Sequence, residues 1–221
     1  MTITGVEAVI FDMDGTLIDS ELLTDKAVRQ HLADQGIEPG DLDCTQFYGV
    51  TWVKIANMLA ELFPSLDDSG LAATLQHHFH TMGLTSPPPP ILGSSDAVRA
   101  AFRLAKTAIG TSSNRESLEE VIDYLDIRGD LSTTASAEDY ENSKPHPDCY
   151  LTVANRLGVN PKCCLVFEDS IPGLQAARAA GMFAIAITHR TTDLALATEI
   201  ADLAIANYSE LEPDFFSIIC R

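Results

Sequence analysis

The sequence predicts an α/β protein with a doubly wound, Rossmann-like parallel sheet and a small inserted all-helical domain. Three observations support this fold class. Short apolar segments alternate with helical segments along the second half of the chain, as in repeated βα units. One further apolar strand stands alone near the N-terminus. The stretch between the two has the spacing of helices only.

The first strand is the apolar run at 8–11, and its lack of polar alternation is typical of a strand buried on both faces. A helix over 21–35 follows and ends at Gly36, a common helix terminator. Two more helices, at 51–62 and 68–82, complete the insert.

The prolines at 87–90 form a stiff, extended connector after these helices. We therefore predict a core domain from residues 1–18 and 88–221 and a helical domain from residues 19–87. In the core, the pattern predicts the following order: a helix from Ser95 to Lys106, a strand at 107–111, a helix at 114–125, a strand at 131–135, a helix at 147–157, a strand at 164–167, a helix at 172–180, a strand at 183–187 and a weaker strand at 203–206.

Composition restricts the function classes. The 221 residues include 14 basic and 32 acidic ones, and the net charge of −18 argues against binding to nucleic acid or to anionic membranes. The five cysteines form no CxxC pair, so neither a zinc site nor a disulfide framework is indicated, and Cys163 and Cys164 are predicted to be small buried residues at a strand start. Without a long apolar span or a signal sequence, we expect a cytoplasmic protein, as a monomer or alternatively a weak dimer.

Asp12 and Asp14 follow the first strand directly. Alternate side chains of an extended segment point the same way, so both carboxylates can meet beyond the strand end while Met13 packs on the other side. Their repulsion is relieved by a shared proton or by a divalent cation, and oxygen ligands favour Mg²⁺. Gly15 permits a close backbone approach, and its N–H can face an anion. The alternative is a pair of ordinary turn acids.

Three later strand ends carry polar groups as well. Thr111, Ser112, Ser113 and Asn114 place hydroxyls and N–H groups at a helix start, which suits a phosphate, although ordinary helix capping by Ser113 or Asn114 is the alternative. Lys144 can neutralise both an aspartate and a phosphate, or be a solvated surface residue.

Glu168 and Asp169 repeat the opening pattern of an apolar strand that ends in acids, and as an alternative they cap the next helix. Because parallel strands end at one sheet edge, the four groups together predict a single site.

These residues resemble the four motifs of the haloacid dehalogenase-like hydrolases, in the branch that includes phosphoglycolate phosphatase-like and β-phosphoglucomutase-like proteins. The matching segments are Phe11-Asp12-Met13-Asp14-Gly15-Thr16-Leu17, Thr111-Ser112-Ser113-Asn114, Lys144-Pro145-His146-Pro147-Asp148 and Phe167-Glu168-Asp169-Ser170 with Gly173. The helical segment resembles the family's small cap domain. The resemblance covers nearly the whole chain.

The resemblance implies a Mg²⁺-dependent phosphatase acting on a small phosphate ester, such as a sugar or polyol phosphate or phosphoglycolate. Asp12 would be the nucleophile and form an aspartyl phosphate, and Asp14 would be the acid and base. Mg²⁺ would be bound by Asp12, Asp14 through its carbonyl, Glu168 and Asp169. The phosphoryl group would be held by Gly15, Thr111, Ser112, Asn114 and Lys144.

Other activities of this family remain open. A phosphosugar mutase is the first alternative, but the family's cap histidine and arginine are replaced by Thr24 and by Trp52 after Gly49 and Val50. A phosphonatase is a further option. A dehalogenase is disfavoured, because halide displacement does not need the acid that Asp14 supplies. A non-catalytic phosphate-binding regulatory module is the alternative from outside the enzyme class.

Overall fold

The computed structural model describes residues 3–48 and 50–220. It contains two compact units, one formed by Met1–Asp19 with Pro90–Arg221 and the other by Ser20–Pro89. We call the first the α/β unit and the second the helical unit.

The α/β unit contains a six-stranded sheet in which each neighbouring pair is parallel. Its strands are β1 (Ala8–Phe11), β2 (Lys106–Gly110), β3 (Thr133–Ala135), β4 (Cys164–Glu168), β5 (Phe183–Ile187) and β6 (Leu203–Ile205). The order β3-β2-β1-β4-β5-β6 places β1 at the centre, between β2 and β4. The ends of β1, β2 and β4 therefore lie side by side. The predicted doubly wound parallel sheet is confirmed.

Two apolar clusters cover the opposite faces of this sheet. Val9 and Phe11 belong to one cluster, and Ala8 and Ile10 belong to the other. This is the two-residue period of a strand buried on both sides. The helices of the unit are α4 (Ser94–Phe102), α5 (Arg115–Leu125), α6 (Asp148–Leu157), α7 (Ile171–Ala179), α8 (Leu194–Ile200) and α9 (Phe215–Ile219).

The helical unit consists of α1 (Glu21–Asp34), α2 (Trp52–Leu62) and α3 (Leu71–Thr85), with a short 3₁₀ turn at Cys44–Phe47. Its own core includes Val28 and Leu32 of α1, Ile55 and Leu59 of α2, and Leu75 of α3. In the part of the chain that the structure describes, no helix is both long and apolar enough to cross a membrane.

Several predicted boundaries were wrong. The helix predicted to reach Lys106 ends at Phe102, because Lys106 pairs with Ala8 at the start of β2. The helix predicted from Asp68 begins at Leu71, after Gly70 with a φ of +69°. Cys163 is only half-buried, since it closes a 3₁₀ turn before β4.

The helices α8 and α9 were not predicted. They contain 7 and 5 residues, which is too short for helical periodicity to be recognised. The N-terminus of α8 is nevertheless capped by Asp193, whose carboxylate accepts a hydrogen bond from Leu196 N at 3.0 Å.

Candidate active site

Asp12 lies at the first position after β1, as its motif predicts. Its backbone N–H donates to the carbonyl of Phe167 at 2.9 Å, which fixes it beside the end of β4. The Asp12 side chain is almost completely buried, and Met13 is buried as well. The strand therefore delivers a carboxylate into an interior site, where an unpaired charge would be costly.

Lys144 is the cation that accompanies Asp12. Its ammonium contacts Asp12 Oδ1 and donates to Glu168 Oε1 at 2.7 Å, and its side chain is only 7% exposed. The interpretation of Lys144 as a solvated surface residue was therefore wrong. Burial raises the pKa of Asp12 to about 8, and the charge of Glu168 adds to this increase while Lys144 opposes it. One ammonium group thus serves two buried carboxylates.

Glu168 accepts hydrogen bonds on both of its carboxylate oxygens. Its Oε1 accepts from Lys144 and from the Tyr150 hydroxyl at 3.0 Å, and its Oε2 accepts from the N–H and hydroxyl of Ser170 at 2.7 and 3.0 Å. Gly173 is needed beside it, because a Cβ there would lie 1.6 Å from Glu168 Oε1. Burial raises the pKa of Tyr150 well above its usual range, so the phenol remains a donor.

The turn after Asp12 is built around Asp169. Gly15 has a φ of +73°, and a Cβ there would lie 2.1 Å from Asp169 Oδ2. The Gly15 N–H, which the sequence suggested for an anion, donates instead to Ile18 O at 2.8 Å. Thr16 Oγ1 donates to Asp169 Oδ1 at 2.9 Å, and Thr191 Oγ1 donates to Asp169 O at 3.2 Å. Asp169 is therefore held by two threonines of different loops.

The polar groups of the segment after β2 have two roles: some form contacts within the site, and one caps α5. Thr111 is buried, and its Oγ1 accepts from Ser113 N at 3.0 Å. Ser113 Oγ donates to Asp14 Oδ2 at 2.6 Å. Asn114 caps α5 by accepting from Ser117 N at 2.9 Å, so its side-chain oxygen is engaged in the capping role that was the alternative to phosphate binding. Ser112 is exposed and lies next to the Tyr140 hydroxyl, at 3.4 Å between oxygens.

The sequence placed Thr16 and Ser113 in the motifs, and Ser113 among the groups for phosphate binding or helix capping, but it did not identify them as partners of Asp169 and Asp14. Tyr150 was not identified as a member of the site. Tyr150 is indistinguishable by sequence from a core aromatic residue of α6.

An acidic cluster in this site can hold a metal ion. Carboxylate oxygens of Asp12, Glu168 and Asp169 all lie within 4.8 Å of one another. The donor set contains no thiolate or imidazole, which suits a hard cation such as Mg²⁺. The Asp14 carboxylate is not one of these three, and its Oδ2 accepts a hydrogen bond from Ser113. For Asp14, the resemblance implies a contribution through the backbone carbonyl.

Comparison with known proteins shows the family of this chain. A family model described as haloacid dehalogenase-like hydrolase matches residues 6–181. The chain is 35% identical to fructose-1-phosphate phosphatase YqaB of Escherichia coli strain K12, over 80% of this chain and 94% of that protein. It is 30% identical to hexitol phosphatase B of the same organism, over 92% of this chain and 93% of that protein.

The fold also has close structural counterparts. The crystal structure of a HAD hydrolase of family IA, variant 3, from Entamoeba histolytica superposes with a TM-score of 0.78. That similarity covers 96% of this chain and 97% of the other at 23% identity, and it supports the fold alone. From its family match and its relatives, this chain is a member of the haloacid dehalogenase-like hydrolases.

Proposed function

We propose that this protein is a Mg²⁺-dependent phosphatase that hydrolyses a small sugar or polyol phosphate through an aspartyl phosphate. The observation that carries the proposal is the buried Asp12 carboxylate, in contact with Lys144 and beside a second pair of acids. The names of the two bacterial relatives, a fructose-1-phosphate phosphatase and a hexitol phosphatase, support this substrate class.

The charge balance of the site supports a metal. The carboxylates of Asp12, Glu168 and Asp169 lie close together, and Lys144 contacts Asp12 and Glu168. Burial above all, with the charge of Glu168 in addition, raises the pKa of Asp12 to about 8. A nucleophilic carboxylate must be ionised at neutral pH. A divalent cation held by Asp12, Glu168, Asp169 and the carbonyl of Asp14 would supply the missing positive charge and screen the phosphate from the nucleophile.

The proposed reaction has two steps. Asp12 attacks phosphorus, the bond from phosphorus to the ester oxygen breaks, and Asp14 gives its proton to the departing alkoxide. Water next attacks the aspartyl phosphate, Asp14 takes back a proton, and Asp12 and inorganic phosphate are released. Lys144, Thr111 and the Ser112 N–H would stabilise the charge on the transferring oxygens. The helical unit would serve as the cap that selects the leaving group.

A mutase of this family would bind a second phosphate through a cap histidine and a cap arginine, and this chain has neither residue at the expected positions. Trp52, at the position expected for the cap arginine, packs edge-on against Phe79 with ring centroids 5.3 Å apart. Thr24, at the position expected for the cap histidine, is buried. The pair before Trp52 begins with Gly49, which lies outside the described residues.

The test is phosphate release from a panel that contains fructose 1-phosphate, hexitol phosphates and phosphoglycolate, with Mg²⁺ and with a chelator. We expect release only with Mg²⁺, its loss in Asp12→Asn, and wild-type rates in the control Asp41→Asn, which alters an exposed acid. Undiminished turnover by Asp12→Asn would refute the nucleophile assignment. Phosphate that reappears on an isomeric sugar rather than in solution would indicate a mutase.

A further inference from the structure

We propose that Tyr150 is a positioning residue of the phosphoryl-transfer site, which holds Glu168 and the Lys144 ammonium so that Lys144 keeps charge available for the phosphoryl group. This inference rests on the proposed function. Tyr150 is the third residue of α6, is fully buried, and has no role in the four motifs.

Tyr150 touches both members of the Lys144–Glu168 pair. Its hydroxyl donates to Glu168 Oε1 at 3.0 Å, and the face of its ring lies 4.8 Å from Lys144 Nζ. The ring face attracts a cation, whereas the hydroxyl stabilises an anion. A tyrosine that served only to fill the core would gain nothing from a buried hydroxyl, which is costly unless it is hydrogen-bonded.

The hydroxyl matters because Lys144 is shared. Its ammonium donates to Glu168 Oε1 and also contacts Asp12 Oδ1. The other oxygen of Glu168 is occupied by the two donors of Ser170. Among the residues that the structure describes, Tyr150 and Lys144 are the two side-chain donors on Oε1. Without the phenol, Glu168 would draw Lys144 more strongly and reduce the positive charge beside Asp12.

Two variants separate the contacts of Tyr150. Tyr150→Phe keeps the aromatic ring against Lys144 and removes the hydrogen bond to Glu168. Tyr150→Leu removes both the ring contact and the hydrogen bond. We expect Tyr150→Phe to lower kcat about tenfold with KM changed by less than about twofold, since a hydrogen bond to a charged group is lost without loss of substrate contacts. The control is Tyr124→Phe, which changes an exposed tyrosine and should leave both constants unaltered.

A wild-type kcat in Tyr150→Phe would overturn the proposal, and so would a rise in KM alone. Tyr150→Phe decides the question even if Tyr150→Leu does not fold, because it preserves the packing volume.

A second measurement does not depend on turnover. The protein contains five lysines, so the side-chain signals of Lys144 can be assigned in a ¹³C-lysine NMR spectrum by their loss in Lys144→Arg. The ring current of Tyr150 should shift the Lys144 ε-methylene protons upfield in the wild type and in Tyr150→Phe, but not in Tyr150→Leu. An unshifted wild-type signal would contradict the contact. Absence of phosphate release from every ester, with the shift present, would refute the proposed function while leaving this contact intact.

Discussion

Ser113 Oγ lies 2.6 Å from Asp14 Oδ2 and donates a hydrogen bond to it, across 99 residues of sequence. This bond joins the end of β2 to the turn that follows β1. Asp12 instead belongs to an acidic cluster with Glu168 and Asp169. The two motif aspartates thereby acquire different surroundings, which suits a nucleophile and a separate acid and base.

Ser113→Ala should therefore lower kcat by about ten- to a hundredfold, because a hydrogen bond that orients the proton-transferring group is removed. Ser113→Thr keeps a hydroxyl at the same place and should retain most of the activity. Steady-state kinetics on the best substrate of the panel checks both variants. Equal losses in the two variants would show that shape, rather than the hydroxyl, is needed at this position.

The space beside Gly15 gives a second prediction. In Gly15→Ala the new methyl group would collide with the Asp169 carboxylate, 2.1 Å away, and the φ of +73° would be strained. We expect activity to fall at least about a hundredfold, because the Asp169 carboxylate must move away from Asp12 and Glu168, with which it is proposed to bind the metal.

Gly158→Ala is the matched control. Its φ is +64°, but no atom lies within 4 Å of the position that a Cβ would occupy, so it tests backbone strain alone. It should cost about 1 kcal/mol of unfolding free energy, measured with denaturant, and leave kcat unchanged. If both variants lost activity equally, strain rather than the contact with Asp169 would be responsible.

The strands were predictable because burial on both faces forces continuous apolar runs, as in β1 and β4. The approximate site was predictable because parallel strands end at one edge, which brings Asp12 and Glu168 together. The partners of each acid were not. Whether Ser113 or Asn114 caps α5, and where the Gly15 N–H points, depends on distances between loops that are far apart in sequence.

Thr16 provides a prediction about metal affinity. Its buried hydroxyl donates to Asp169 Oδ1 at 2.9 Å, and such supporting bonds orient metal ligands. Thr16→Val removes the donor at nearly constant volume and should raise the Mg²⁺ concentration for half-maximal activity about tenfold. Thr16→Ser retains the donor and should change that concentration by less than about threefold. A Mg²⁺ titration that is identical for Thr16→Val and the wild type would contradict this role.

The helical unit contains a titratable group that should make stability depend on pH. His31 of α1 is buried, and its Nε2 has no hydrogen-bond partner among the described residues. Burial and the neighbouring His78, with ring centroids 5.8 Å apart, lower the pKa of His31, while Asp34 and Asp67 act in the opposite direction. The folded state therefore accepts a proton less readily than the unfolded chain, whose histidines titrate near about 6.5.

Since the unfolded state binds more protons at His31 below that pH, the contribution of His31 to stability should be constant above about pH 7 and should fall as the pH drops through about 6.5, by at most about 1.4 kcal/mol per pH unit for one proton. Asp12, with its raised pKa, gives a slope of the opposite sign, so the contribution of His31 is measured as the difference between the wild type and His31→Phe in denaturant unfolding at pH 7.5, 6.5 and 5.5. His31→Phe should lack this contribution, because the titrating group is removed, whereas His77→Gln, which alters an exposed histidine of α3, should retain it. A slope that persists unchanged in His31→Phe would assign the pH dependence to other groups.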